Sequence, residues 1–415
     1  MQSGSLLRAV GTVVKSPRII FLVALTARLW VLTQLLPAQA WPHFYRYNEP
    51  SRIAWALVSG FGFSSPWPNT PLAPTAQQPP VYPLLLAAIF RVAGAYSYLS
   101  LEIGVGLNAV FSALTAVLIF QIGKRDFGVP TGALAAWIWS AWLYEAVVSI
   151  RLWESSLSAL LLATALWLLP VLAHSSRLRL WLAFGVLAGV AALTNTTLLS
   201  VFPFFWLWLC ISCRRRRGLS CGTWLAASVV VCILVVLPWT IRNHATFHRL
   251  VPIRDNFGLE LWLGNHEGVT HVFDNDFPIL NPTEYNRLGE IGFMETKRKI
   301  ALEFITRNPK AFLRLSARHF FQFWSGPEES GWLVVSVFAW IGMVLALWRE
   351  GLETIPYVLT VLVFPPVYYI THVFSTYRHP IEPAILLLAS YTVVSAVTAV
   401  GLPLVQSRSR RNPAV

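Results

Sequence analysis

Charge is scarce in this sequence. Asp, Glu, Lys and Arg make up 12% of its 415 residues, where a soluble domain carries about 25%. With 55% hydrophobic residues and a mean hydropathy of +0.57, it reads as a polytopic membrane protein. Acids are scarcer than bases, 19 against 32, which leaves a net charge of +13. That excess does not point to nucleic acid. The basic residues fall in short runs between apolar segments, the positive-inside pattern. Cysteine is almost absent. Cys210, Cys213, Cys221 and Cys232 surround one loop expected in the reducing cytoplasm, so no disulfide framework is expected. No phosphate-cradling Gly-rich loop with lysine, no GxSxG and no HExxH is present. The nine histidines show no zinc spacing.

What the chain has is apolar length. Ten runs of about 17–25 residues read as spans. They cover 19–37, 98–121, 129–148, 155–173, 179–195, 197–213, 220–241, 330–348, 354–372 and 380–402. Arg8, Lys15 and Arg18 precede the first. Lys124 and Arg125 follow the second, Arg177 and Arg179 the fourth, and Arg214 to Arg217 the sixth. Arg349 follows the eighth, and Arg408, Arg410 and Arg411 the tenth. All fall on one side, so both termini are expected in the cytoplasm. The pair 179–195 and 197–213, joined at Asn195-Thr196-Thr197, has a second reading as one re-entrant unit. The N-terminus imitates a secretory signal ending in Ala38-Gln39-Ala40. Its apolar run is long for that role and contains Arg28, so an uncleaved first span is expected. Arg28 reads as a snorkelling or carboxylate-paired residue.

Three regions follow. Residues 1–241 form a transmembrane module with a first outer loop at 38–97. Residues 242–328 form an outer helical segment, and 329–415 the last spans and a basic tail. In the first outer loop, Ile53, Ala54, Leu57 and Val58 share a helical face, as in a helix lying in the membrane interface. Pro79-Pro80 opens a second helix, Val81 to Ala93. In the outer segment, Asn281-Pro282-Thr283-Glu284 and Asn308-Pro309 start helices. After the second, Lys310, Arg314 and Arg318 make a basic stripe, suited to anionic headgroups or to a lipid-phosphate substrate.

Polar residues gather at the outer ends of the spans. Glu49 follows the first. Glu145, Arg151 and Glu154 lie between the third and fourth. Arg242 and Asn243 end the seventh, and Arg378 and His379 precede the tenth. A carboxylate beside a membrane is costly unless solvated, paired or used. Carboxylates with arginines on one face suit a reaction that removes one proton and stabilises one phosphate. Each arginine alone reads equally well as a helix anchor.

The chain resembles the GT-C membrane glycosyltransferases, in the family 39-like branch with protein O-mannosyltransferases, ArnT and proteins with an RgtA/B/C/D-like domain. The resemblance rests on Glu49-Pro50-Ser51-Arg52-Ile53-Ala54 with Gly60-Phe61-Gly62-Phe63, and on Pro74-Thr75-Ala76 with Pro79-Pro80-Val81-Tyr82-Pro83. It continues through Leu193-Thr194-Asn195, Pro238-Trp239 with Arg242-Asn243, the run Asn256 to Asn265, and Tyr377-Arg378-His379-Pro380. It implies an all-α fold of about ten transmembrane helices with interfacial helices in the first outer loop. It implies transfer of a sugar from a polyprenyl-phosphate donor to a lipid, glycan or protein hydroxyl, with inversion. That chemistry would take place among membrane lipids, on the outer face of the cytoplasmic membrane. By the same resemblance, Glu49 is the catalytic base, where the family has an acid or an acid pair, and Asn48 departs from the pair. Glu154 matches a second acid. Arg242 and Arg378, with His379, would bind the donor phosphate. Arg151, Asn243, Asn265 and Tyr82 are expected near substrate. No cofactor is implied, although Glu49 and Glu154 would offer oxygen ligands to a divalent cation. The alternative class is a transporter or flippase of lipid-linked sugars, which the same charges would serve.

Overall fold

The computed structural model describes residues 14–35, 48–67, 70–217, 221–269, 282–327, 330–374 and 376–401. The Ala38-Gln39-Ala40 site, Asn281 and the basic tail lie outside them. Among the described residues the fold is helical, with one isolated β-bridge between Ser64 and Pro74. Helix α1 covers Pro17–Leu35. In the first outer segment, α2 (Glu49–Val58) and α3 (Val81–Ala93) lie where the sequence expects them. Then follow α4 (Tyr98–Asp126), α5 (Val129–Ala141), α6 (Leu143–Ser149), α7 (Ser155–His174) and α8 (Leu178–Thr194). A 3-10 turn, Thr196–Ser200, leads into α9 (Phe202–Arg217). Next come α10 (Gly222–Phe247), α11 (Phe257–Gly264), α12 (Pro282–Arg307) and α13 (Pro309–Ser325). The chain closes with α14 (Trp332–Glu350), α15 (Ile355–Val363), α16 (Pro366–Ile370) and α17 (Glu382–Ala399).

Seven helical stretches among the described residues are long and apolar enough to cross a membrane. One of them, Trp332–Ile370, is 39 residues long and folds into two legs at Gly351. The shorter Leu178–Thr194 and the α5–α6 pair supply further legs, so each of the ten expected spans is a helical leg. The pair around Asn195 is two legs, not one re-entrant unit. Trp208 of α9 donates to Leu352 O at 2.8 Å, which carries α9 to the far end of the bundle.

Membrane helices pack by close approach, since lipid offers no hydrophobic drive between them. Helix α4 turns Ala109, Ser112, Ala113, Ala116 and Gly123 inward. At Gly123 a Cβ would stand 2.4 Å from the Gly132 Cα, so only glycine lets α4 and α5 meet there. Helix α10 lies at the periphery, with little of its apolar length buried. Its exposed Val230, Ile233, Leu234 and Leu237 suit hydrocarbon.

The third expected span differs from expectation. It breaks at Trp142, whose φ of −73° and ψ of 107° are extended. A break frees carbonyls that must find donors inside a membrane. Arg28 supplies them. Its Nη2 donates to Trp139 O at 2.7 Å and its Nη1 to Ser140 O at 2.8 Å. Its Nε donates to Ser112 Oγ at 2.9 Å. The arginine neither snorkels nor pairs with a carboxylate; it caps the broken helix.

The outer end of the bundle carries a cap. Tyr82, Leu86, Phe90, Leu101, Val105, Ile150 and Leu152 bind α2 and α3 to the bundle. Trp67, Leu259, Tyr285, Phe293 and Met294 form a second core. That core joins the first outer segment to the second.

Candidate active site

Local capping places the first carboxylate. Asn48 Oδ1 accepts from the Ser51 amide at 3.4 Å, and Pro50 sits in the first turn of α2. The Asn48 amide also donates to Leu152 O at 2.8 Å. One residue therefore starts α2 and ties it to the turn before α7. Glu49 follows it, half-buried. Trp67 Nε1 donates to Glu49 Oε1 at 2.7 Å, and Gln78 Nε2 donates to Oε2. Burial raises the Glu49 carboxyl above its ordinary range, while Trp67, Gln78 and Arg254 oppose the rise. Glu154 is the residue before α7. Burial pushes it up to about 7, against the pull of its own amide and of Arg254. The two acids interact electrostatically.

Facing them is an arginine that the sequence reading passed over. Asn243 Nδ2 donates to Val251 O and Ile253 O, both at 3.1 Å. That ties the 251–253 turn to the end of α10 and aims Arg254. Arg254 Nε donates to Gln77 O at 3.1 Å, and its Nη2 stands 3.6 Å from Glu260 Oε1. Those are its polar contacts among the described residues, so most of its fork is open. Glu260 on α11 also receives Asn256 Nδ2 and lies 3.3 Å from His372 Nδ1. Tyr377 OH reaches Glu260 Oε2 at 3.4 Å and His372 Nε2 at 3.3 Å. Burial holds the His372 imidazole below its ordinary value, against the pull of Glu260. Tyr377 stacks on Tyr368 at 4.6 Å. At Gly264 a Cβ would stand 1.6 Å from Thr371 O, so glycine is required for α11 to abut the 371–372 turn.

The other nominated residues are placed elsewhere, and three roles need correction. Arg378 is fully buried. It forks onto Glu382 at 2.6 and 3.0 Å and donates to Trp324 O and Ser336 Oγ. Four of its five N–H donors are thereby engaged, and none of the side chain is exposed to a phosphate. His379 Nδ1 meets Glu145 Oε2 at 2.6 Å, deep in the bundle. Trp332 Nε1 donates to the other Glu145 oxygen at 3.0 Å. Arg242 lies at the outer end, yet it donates to Thr75 O at 2.7 Å and Phe63 O at 3.0 Å, and its charge rests over Trp239, Phe63 and Phe247. It anchors the first outer loop.

Asn243 is the turn clip described above. Asn265 donates to Leu261 O and Ile370 O, joining α11 to α16. The Tyr82 hydroxyl accepts from Asn108 Nδ2 at 2.8 Å, and the same amide reaches Arg151 O at 2.5 Å. These residues support the site from behind, and the Arg151 side chain is exposed. Glu260, His372, Tyr377, Tyr368, Trp67 and Gln78 complete the site that Glu49 and Glu154 begin. Glu260 and Tyr377 lie within the stretches that carry the family resemblance. Arg254 has a weaker signal, a basic residue beside Asp255 in the short stretch between Pro252 and Asn256. Among the described residues, no group of three or more His, Cys, Asp or Glu is arranged to hold a metal.

An all-α bundle with an outer cap built from its two long outer segments is the GT-C glycosyltransferase fold, and two solved structures share it. ArnT from Cupriavidus metallidurans, bound to undecaprenyl phosphate, matches 95% of this chain at 14% identity and a TM-score of 0.50. An oligosaccharyltransferase from Archaeoglobus fulgidus, in complex with zinc and sulfate, matches 92% at 11% identity and a TM-score of 0.55. The chain spans 61% of the first and 49% of the second. The family model described as dolichyl-phosphate-mannose-protein mannosyltransferase matches residues 77–241, about two fifths of the chain. No curated protein matches it.

Proposed function

We propose that the protein is a glycosyltransferase that takes a sugar from a polyprenyl-phosphate donor on the outer face of the cytoplasmic membrane. The observation that carries this reading is Arg254, with an open guanidinium fork, facing the two carboxyls Glu49 and Glu154 at one end of a GT-C bundle. Glu49 removes the proton of an acceptor hydroxyl. The hydroxyl oxygen attacks the anomeric carbon, and the carbon–phosphate oxygen bond breaks on the opposite face, which inverts the configuration. The polyprenyl phosphate leaves with the electron pair, and Arg254 stabilises its charge. A phosphate leaves without the protonation that an ordinary glycosidic oxygen needs, so one base suffices. The ArnT structure with undecaprenyl phosphate supports a donor of this class. The proposed reaction uses no metal; each Glu49 oxygen accepts one hydrogen bond, from Trp67 or Gln78, and keeps acceptor capacity for the proton.

The transporter reading has less support. It would use charges along a path through the membrane. Here Arg28, Glu145, His379, Arg378 and Glu382 are engaged by one another or by backbone carbonyls and tryptophans. The test is transfer by purified protein in detergent with a set of synthetic polyprenyl-phosphate sugars. Release of polyprenyl phosphate with a new glycoside on an added acceptor is the expected result. Flipping of the same donors in proteoliposomes with no transfer would replace the enzyme by the transporter.

A further inference from the structure

Glu290 lies outside the site, yet it grips the strap that feeds Gln78 to Glu49. The strap runs from Thr75 to Gln78, and its backbone is held at successive residues. Arg242 Nη1 donates to Thr75 O at 2.7 Å. Glu290 Oε1 accepts from the Ala76 amide at 2.5 Å, and the Asp255 amide donates to Ala76 O at 3.3 Å. Arg254 Nε donates to Gln77 O at 3.1 Å. Gln78 then places its amide on Glu49. Glu290 sits one residue past Gly289, where α12 is kinked, and its second oxygen accepts from Tyr285 OH at 3.1 Å.

The side chain of Asp255 lies against Glu290. With both carboxyls ionised, neither Asp255 oxygen has a hydrogen-bond partner among the described residues. With one proton between them the pair is bonded. Burial holds both carboxyls above the ordinary carboxylate range, and the charge of Asp255 adds to the rise at Glu290. The charged groups facing the pair are Arg254, from the 251–255 turn, and Arg242, from α10. Tyr285 faces it from α12 itself. A cleft of about 410 Å³, lined by Pro74, Phe247, Tyr285 and Glu290 among others, opens beside the Glu290 half of the pair.

We propose that Asp255 and Glu290 form a proton-sharing latch, and that Glu290 is a positioning residue for Glu49. This inference rests on the role proposed above for Glu49. With one shared proton the strap is closed and Gln78 orients the base. With both carboxyls ionised, two like charges in contact push the strap open. The sign follows from linkage. A carboxyl raised in the folded state holds its proton more tightly than the unfolded chain does. The latch is therefore firmest at low pH and weakens as pH rises from about 4.3 through the raised values.

The test is amide hydrogen exchange of residues 73–78 in the full-length protein, corrected for the intrinsic rate, across the pH range. Protection of the strap in the wild type should fall by about tenfold for each unit by which the pair is raised. Glu290→Gln keeps an acceptor for Ala76 and removes the titration, so protection should no longer depend on pH. Asp255→Asn should do the same by removing the repulsion. In Glu290→Ala the strap should exchange freely at every pH. The transfer rate should lose its alkaline limb in the first two variants. A wild-type strap equally protected at all pH, or a Glu290→Gln strap with the wild-type profile, overturns the latch. Since exchange needs no substrate, a switching strap in a protein that transfers no sugar would keep the latch and sink the enzymatic reading instead.

Discussion

Arg378 and Arg254 each sit beside a glutamate, and they do different work. Arg378 is sealed in the bundle, its guanidinium forked onto Glu382 and both Nη1 donors engaged by Trp324 O and Ser336 Oγ. Arg254 is 23% exposed, makes one hydrogen bond and stands 3.6 Å from Glu260. Both are arginines near the outer ends of spans, and charge alone does not separate them. Saturation does. A sealed guanidinium with four of its five donors answered is structure, since a large new partner must displace an old one. A guanidinium with open donors, aimed at two raised carboxyls, is a place for a phosphate.

The largest effect belongs to the carboxylate that Arg254 faces. Glu49→Gln keeps the shape and the bond from Trp67 but removes the basicity. General-base catalysis contributes about 10²–10⁴-fold, so kcat should fall by that range while the protein still folds and binds donor. A Glu49→Gln enzyme within a few-fold of wild type would move the reaction away from Arg254. If Glu154→Gln is dead beside it, Glu154 is the base, a role that its value of about 7 also suits.

Next comes Arg378 itself. Removing it strands a buried Glu382 carboxyl, and breaking such a pair costs about 3–5 kcal/mol. Arg378→Met should therefore lower Tm strongly. The double variant with Glu382→Leu should recover much of the loss, because no buried charge is left alone. Activity per folded molecule should stay near wild type in the double variant. A folded double variant that no longer binds donor would return Arg378 to the site and break the contrast with Arg254.

These two arginines also show how far the sequence could be read. The helices of the first outer segment, the starts of α12 and α13, and the ten apolar legs were legible, because apolar run length and proline position encode them directly. That Glu49 and Glu154 stand at outer ends of spans was legible too, but the same was true of Glu145, which the fold buries against Trp332 and His379 instead. Which arginine meets Glu49 and Glu154 was not. Arg242 and Arg378 end apolar runs and stand out. Arg254 lies in a turn whose direction depends on Asn243, eleven residues earlier, holding Val251 and Ile253. The break at Trp142 was equally hidden, since its compensation comes from Arg28, more than a hundred residues away. Saturation is a property of the fold, and a run of letters does not carry it.

The comparison sharpens within the outer face as well. Arg242 and Arg254 are close in sequence, and both hold the strap by its carbonyls. Only Arg254 keeps open donors toward the acids. Arg254→Ala should weaken donor binding and turnover by about 1.5–3 kcal/mol, the value of a charge-assisted contact. Lysine should rescue it only in part, because it lacks the planar fork. Arg242→Ala should loosen the 63–75 loop, seen as faster amide exchange there, with a smaller loss of donor affinity. Titration of both variants with polyprenyl phosphate alone decides the matter. Equal losses of affinity would mean that the open fork of Arg254 has no special part.

The smallest effect is the most specific. Glu260 is the acid that Arg254 leans toward, and its charge raises Glu49. A base must be ionised to act, so kcat/KM should rise with pH through the Glu49 value, which lies above the ordinary carboxylate range. Glu260→Gln removes a negative charge from the neighbourhood and leaves Arg254 freer to face Glu49. Both changes favour the Glu49 anion. The acid limb of kcat/KM should therefore move to lower pH, with little change in the plateau. A limb that stays in place, or moves to higher pH, would mean that the titrating base is not the carboxylate held by Trp67 and Gln78. The open arginine would then face a different reacting group.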